Sequence, residues 1–274
     1  MATHLTMPAA DLASTTPVLI LLTNDDGIYA PGLAAMEREL EKLGDVYVVS
    51  PATEQSGVGH SITYLSPLVV KELFEGQQRR GWAVEGSPAD CVKIGIFEFC
   101  PRQPDLIVSG INGGLNAGIN VLYSGTVAAA IEGAFFGITS IAVSLEFGEP
   151  ARFDQAAVVA REVIEQILAQ KGPAPQLYNM NIPTAALNAP ERRVRVVPMG
   201  LERSGEQYEK RVDPRGRSYF WALSDPVAGT AGHETDVSAL AGGAITLTPL
   251  DFDLTKRAQL AEMERWKFKL PAGQ

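Results

Sequence analysis

The sequence is poor in the residues that build covalent, redox or soft-metal chemistry. Cysteine occurs twice, at Cys91 and Cys100, without metal-ligand or disulfide-framework spacing, so both are expected to be small buried hydrophobes in a reducing compartment. The three histidines, His4, His60 and His233, lie too far apart to form a His-x-x-x-His zinc site. Basic residues are outnumbered, 23 against 32 acidic ones, for a net charge of −9. That balance excludes a polyphosphate backbone such as DNA as the main partner. It leaves room for a small phosphorylated substrate, because a bound cation inverts the local field. No apolar run reaches membrane-spanning length, so no membrane partner is expected. The first sixteen residues contain no Lys or Arg, and Asp11 breaks their apolar content, unlike a secretory signal. Gly-x-Gly-x-x-Gly, Gly-x-x-x-x-Gly-Lys-Ser/Thr and Gly-x-Ser-x-Gly are all absent, which removes the dinucleotide fingerprint, the P-loop and the serine-hydrolase elbow.

What is present is a core. Hydrophobic residues make up 46% of 274, enough for one large α/β domain. Residues 1–16 have no periodicity and are expected to form a flexible tail, with the fold starting near Pro17. Val18–Leu22 is continuously apolar, as in a central parallel strand covered on both faces. Pro31 suits a first helical position, Leu33, Met36, Leu40 and Leu43 form a stripe, and Gly44 reads as the helix stop. Val46–Val49 is a second strand, giving a βαβ opening. Short alternating segments lie around Ile62–Leu73 and Trp82–Val84, and Pro88 opens a helix through Ile96. Leu106–Val108 and Ile141–Val143 are further strands, with a small-residue helix from Val127 to Phe136 between them. Residues 152–169 form an amphipathic helix burying Ala156, Val159, Val163 and Ile167. Farther on, Asp213-Pro214-Arg215-Gly216 suits a turn between Tyr208–Val212 and Ser218–Leu223. Ala244–Leu250 is an apolar strand and Thr255–Leu270 a terminal helix. The expected architecture is α/β, a Rossmann-like three-layer core with a mainly parallel sheet. A protruding β-hairpin arm at about 200–235 and a C-terminal helix at about 255–270 complete one domain over 17–274.

Three loops follow core strands, and in a parallel sheet they gather at one edge. The first carries Asn24, Asp25, Asp26 and Gly27, the second Ser56, and the third Asn112 and Asn116 on the way to Ser124-Gly125-Thr126. Adjacent carboxylates repel and resist desolvation. Taken alone they suit a solvated turn; at a strand end, facing other oxygen donors, they suit a hard cation such as Mg²⁺ or Mn²⁺. Ser124-Gly125-Thr126, at a helix start, offers free N–H groups and hydroxyls to an anion, although Thr126 also suits a simple helix cap. His60, beside the second loop, is a weaker candidate for substrate contact or proton transfer, a structural histidine being the commoner case.

Seven segments together resemble one family: Thr23–Gly27, Glu54–Gly57, Gly86–Val92, Ser109–Asn112, Tyr123–Ala129, Thr235-Asp236 and Leu247–Leu250. In this order, over roughly Leu19 to Leu250, they are similar to the SurE (survival protein E) nucleotidases. Ser87, where threonine is usual, and Ala128, where glycine is common, are departures that remove no ligand. The resemblance implies a metal-dependent phosphatase for nucleoside 5′-monophosphates, often also 3′-monophosphates and short polyphosphate. One divalent cation per subunit, Mg²⁺ or Mn²⁺, is implied, held by Asp25, Asp26, Ser56 and Asn112, with the two aspartates catalytic. Phosphate contacts are implied at Asn112, Asn116, Ser124, Gly125 and Thr126. The family also implies a cytoplasmic homodimer or homotetramer that exchanges its arm and terminal segment. A non-catalytic nucleotide or metal sensor on the same fold is the alternative.

Overall fold

The structure, a computed structural model, describes residues 17–201, 205–225 and 232–270. The expected tail, residues 1–16, lies outside them, as do parts of the expected arm region.

The opening βαβ unit forms as the sequence indicates: β1 (Val18–Thr23), α1 (Pro31–Leu40) and β2 (Gly44–Pro51), with β1 and β2 parallel. Leu21 packs toward one side of the sheet with Ile107 and Cys91, while Ile20 and Leu22 pack toward the other with Met36 and Ile164. The continuous apolar run is therefore buried on both faces. Gly44 does not cap α1. The helix ends at Leu40, and Gly44 opens β2 where a Cβ would lie 2.0 Å from the Val18 carbonyl oxygen, so close strand approach is what requires glycine there.

An antiparallel pair, β3 (Val70–Glu75) and β4 (Gln78–Val84), extends the sheet beyond β2, and α2 (Pro88–Ile94) follows. Next come β5 (Leu106–Gly113), α3 (Gly125–Phe135), β6 (Thr139–Leu145), α4 (Phe153–Gln170), β7 (Leu177–Ile182) and α5 (Thr184–Asn188). After β8 (Val194–Val196), the hairpin strands β9 (Gly205–Val212) and β10 (Ser218–Asp225) pair with each other as a separate sheet. The chain closes with α6 (Asp236–Ala241), β11 (Ile245–Pro249) and α7 (Arg257–Met263). The nine-stranded sheet runs β3-β4-β2-β1-β5-β6-β7-β11-β8, parallel from β4 through β7, with β3 and β11 antiparallel to their inner neighbours. Helices α1 and α4 cover one face, and α2 and α3 the other. This is the expected three-layer α/β core.

Two expectations change in extent. β5 runs past Val108 to Gly113, so Asn112 stands in the strand rather than in a loop; the register against β6 is irregular between Ser109 and Asn112. The terminal helix is short, Arg257–Met263, and buries none of its residues. Leu260, Met263, Trp266, Phe268 and Leu270 have apolar side chains that the described residues leave exposed, so the stripe does not propagate a helix to Leu270.

Candidate active site

Beyond Thr23 the backbone turns on Asn24. Its Nδ2 donates to the Gly27 carbonyl at 3.0 Å and its Oδ1 accepts from the Gly27 N–H at 3.2 Å and from the Ser50 hydroxyl. Gly27 has φ +99°, a conformation that a side chain would strain. Asn24 is fully buried, so the turn is internally satisfied and leaves the next two carboxylates at the sheet edge.

Asp25 is buried and points at the start of α3. The Thr126 hydroxyl donates to its Oδ1, and the Gln55 N–H donates to its carbonyl oxygen at 2.7 Å. A Cβ on Gly125 would sit 2.9 Å from Asp25 Cβ and 3.0 Å from its Oδ2, so only glycine lets the helix start come this near. Burial pushes the Asp25 carboxyl above its ordinary value, against the stabilising Thr126 hydrogen bond. Burial first, then the Asp25 charge, pushes Asp26 up to about 6, while the Gly113 backbone amide acts in the opposite direction. Glu54 raises both, which brings into range a third carboxylate that the sequence marks only as part of the Glu54–Gly57 segment.

Among the described residues, no Lys, Arg or His forms an ion pair with Asp25 or Asp26, and no three His, Cys, Asp or Glu residues cluster as a metal site. Among the described residues the pair therefore has no cationic side chain to offset its charge. Asn112 donates its Nδ2 to the Gly114 carbonyl at 2.7 Å; its Oδ1 has no partner among the described residues. The Ser56 hydroxyl donates to Glu54 Oε1 at 2.6 Å, keeping its lone pairs available. Gln55 and Gly113, the chain neighbours of Ser56 and Asn112, bond to Asp25 and Asp26, and the four residues offer oxygen donors of the kind a hard divalent cation takes.

The phosphate-side residues divide. α3 begins two residues earlier than expected. Ser124 is its N-cap, with Oγ accepting from the Val127 N–H at 3.1 Å, and Thr126 lies inside the first turn with its hydroxyl committed to Asp25. The first two residues of this eleven-residue helix lie against Asp25: Gly125 by close approach and Thr126 by its backbone N–H. Asn116 is turned toward the sheet: its Nδ2 donates to Ser144 Oγ at 2.9 Å. His60 is not brought to the aspartates; its Nε2 lies 2.6 Å from Glu132 Oε2 and its ring stacks on Phe135 with centroids 5.2 Å apart. That contact ties the Ser56 loop to α3. The same loop is held at Thr63, whose N–H donates to both carboxylate oxygens of Asp90 at 2.9 and 3.0 Å, from within the Ser87–Asp90 capping box of α2.

Comparison with known proteins gives one answer from three directions. The family model described as survival protein SurE matches residues 20–206. A protein named 5′-nucleotidase SurE from Rhodopirellula baltica is 57% identical over 251 residues, 91% of this chain and 99% of that one. Another of the same name from Heliobacterium modesticaldum is 43% identical, covering 90% of this chain and 91% of that one. The crystal structure of the SurE protein from Aquifex aeolicus superposes with a TM-score of 0.78 at 34% identity, over 90% of this chain and 98% of that one. The matched span contains the aspartate turn, the Ser56 loop, the end of β5 and the start of α3, and on these grounds the chain belongs to the SurE family.

Proposed function

We propose that the chain is a 5′-nucleotidase, a divalent-metal-dependent phosphatase that hydrolyses nucleoside 5′-monophosphates to nucleoside and phosphate. Nucleoside 3′-monophosphates and short polyphosphate present the same phosphoryl chemistry and are further substrates. The observation that carries this reading is the Asp25–Asp26 pair, without a cationic partner among the described residues and packed directly against the start of α3. One side of that junction suits a cation, the other an anion, and a phosphate ester needs both. The names carried by the relatives from Rhodopirellula baltica and Heliobacterium modesticaldum point the same way.

Asp25, Asp26, Ser56 and Asn112 would hold one cation per subunit, Mg²⁺ or Mn²⁺. A cation there supplies Lewis-acid polarisation of a phosphoryl oxygen and acidifies water. The remaining work falls to the chain. The Gly125 N–H at the start of α3 and the Ser124 hydroxyl hold phosphoryl oxygens and stabilise charge that develops in the transition state, and Asn116, bonded into the sheet, fixes the loop that leads to them. Thr126 fixes Asp25 Oδ1 in one orientation. Asp26, the less buried of the two, accepts the proton of the attacking water, whose oxygen adds to phosphorus as the P–O bond to the nucleoside breaks and the leaving oxygen takes a proton from solvent. Hydrolysis is direct, and the rival is a phosphorylated Asp25.

A homodimer or homotetramer is supported by Phe220 and Trp221 on the hairpin and by Trp266 and Phe268 near the end of the chain, all exposed. We take residues 17–274 as one unit. Among the described residues, no helix is long and apolar enough to cross a membrane.

The test is phosphate release from a panel of nucleoside monophosphates with Mn²⁺ or Mg²⁺, before and after EDTA. Metal-dependent release that EDTA abolishes is expected. Nucleotide binding without release would assign the chain to the sensor alternative. Rapid-quench trapping of phosphate on Asp25 would replace direct hydrolysis by the covalent route.

A further inference from the structure

The face of the sheet beneath Asn116 is built from polar residues. In β6, β7 and β11 the side chains facing α4 are apolar: Ile141, Val143, Met180, Ile182, Ile245 and Leu247 belong to one core cluster. On the opposite face of the same strands stand Ser144, Asn179, Asn181, Thr246 and Thr248, each at most 1% exposed. Register places them side by side, Ser144 and Thr246 flanking Asn181, with Thr248 beside Asn179. Packing alone does not call for this layer. It leaves Asn179 Oδ1, Thr246 Oγ1 and Thr248 Oγ1 buried without a hydrogen-bond partner among the described residues, which works against stability.

What the layer does achieve is a grip on one loop. Asn181 takes both main-chain groups of Asn116: its Oδ1 accepts the Asn116 N–H at 2.8 Å and its Nδ2 donates to the Asn116 carbonyl at 3.1 Å. Asn179 Nδ2 donates to the same carbonyl at 2.7 Å. Two residues farther on, the Gly118 N–H donates to Asp236 Oδ2 at 2.8 Å, while Oδ1 of that buried carboxylate accepts from the Gly200 N–H at 2.7 Å. The backbone between the end of β5 and the start of α3 is thus fixed by side chains more than sixty residues away in sequence. Local violations of good packing accompany functional sites, where another requirement overrides stability.

We propose that Asn179 and Asn181 of β7 are positioning residues for the reaction. They hold the Asn116 main chain so that the loop entering α3 stays in register with the transferred phosphoryl group. This rests on the reading of Asn116 and the start of α3 as the phosphate side of the site. Neither asparagine touches substrate; both act through Asn116.

The experiment compares Asn179→Leu and Asn181→Leu with Thr248→Val, a change in the same layer that does not reach Asn116. Three quantities are read: kcat and KM for AMP with Mn²⁺, the gain in Tm from millimolar inorganic phosphate in the presence of Mn²⁺, and the gain from Mn²⁺ alone. Misplacing a phosphate-holding loop is expected to lower kcat/KM about ten- to hundredfold. The phosphate gain shrinks in both asparagine variants, the Mn²⁺ gain persists, and Thr248→Val stays within about twofold of wild type, since its hydroxyl has no partner to lose. If Asn181→Leu does not fold, Asn179→Leu decides: it removes an unpartnered oxygen together with only one of the two donors to the carbonyl. A folded Asn179→Leu with wild-type kcat/KM and phosphate gain overturns the proposal, as does an equal loss in Thr248→Val or an absence of phosphate gain in the wild type. Phosphate binding is read without turnover, so a wild type that binds phosphate but releases none from nucleotides sinks the nucleotidase reading and leaves the clamp judged on binding.

Discussion

Replacing Asp26 by asparagine should make the metal-free protein more stable and the metal-loaded protein less so. The carboxyl of Asp26 is raised from 3.8 to about 6, burial being the larger cause and Asp25 the smaller. The folded state therefore binds this proton more tightly than the unfolded chain does. The sign follows: stability is highest below the unfolded pKa, falls as pH rises through the interval, and carries the full cost above the folded pKa. At full effect the shift is worth about 3 kcal/mol; Asp26 is partly open to water, and screening reduces this to about 1–2 kcal/mol. Near neutral pH in EDTA, Asp26→Asn should raise Tm by about 2–5 °C. With Mn²⁺ at about a hundredfold excess over its Kd, the wild type should gain about 2.7 kcal/mol from binding, and the variant much less. Thermal unfolding with EDTA and with Mn²⁺, from acid to neutral pH, reads all of these. A variant no more stable than wild type in EDTA, or one with an undiminished Mn²⁺ gain, would refute the reasoning.

Two further outcomes are open to simple assays. Gly125→Ala places a Cβ 2.9 Å from Asp25 Cβ and 3.1 Å from Pro88 Cγ, so kcat/KM for AMP should fall at least about tenfold with the circular dichroism spectrum unchanged; wild-type kinetics would show that the close approach is dispensable. Deleting residues 206–222 should yield a smaller species by light scattering, because among the described residues the hairpin strands pair only with each other and expose Tyr208, Phe220 and Trp221; an unchanged mass would exclude arm exchange as the source of assembly.

The legible parts of the fold were those where one physical signal dominates. Val18–Leu22 is apolar on both faces and has no other use than a central strand, and the position of Asp25 and Asp26 followed from it. Phe153–Gln170 declared itself by a stripe over five turns. β7 was missed because Leu-Tyr-Asn-Met-Asn-Ile buries two asparagines, a polar alternation that reads as surface until Asn116 is seen bonded to it. Gly44 was misread because a helix stop and a crowded strand start ask for the same residue. The α3 boundary shifted by two residues because Ser124 and Thr126 are both good caps, and only the Asp25 contact tells them apart. Within the site, the aspartate turn and the start of α3 were readable from position. The roles of Glu54 and His60 were not, since charge proximity and the His60–Glu132 contact depend on how the 54–60 loop folds back over α3. The hydrophobic residues after Met263 suggested a helix, but a helix of that length needs a face to cover, and the described residues provide none.

The most direct measurement is an anomalous difference map from crystals of the wild-type protein soaked in Mn²⁺. A single strong peak per subunit is predicted, enclosed by the carboxylates of Asp25 and Asp26 and the Oδ1 of Asn112, with the Ser56 hydroxyl turned from Glu54 toward it. The same soak of Asp26→Asn should show the peak weakened or gone. A peak held by other residues, or none at full Mn²⁺ occupancy of the solvent, would contradict the metal site at the end of β1 and with it the proposed chemistry.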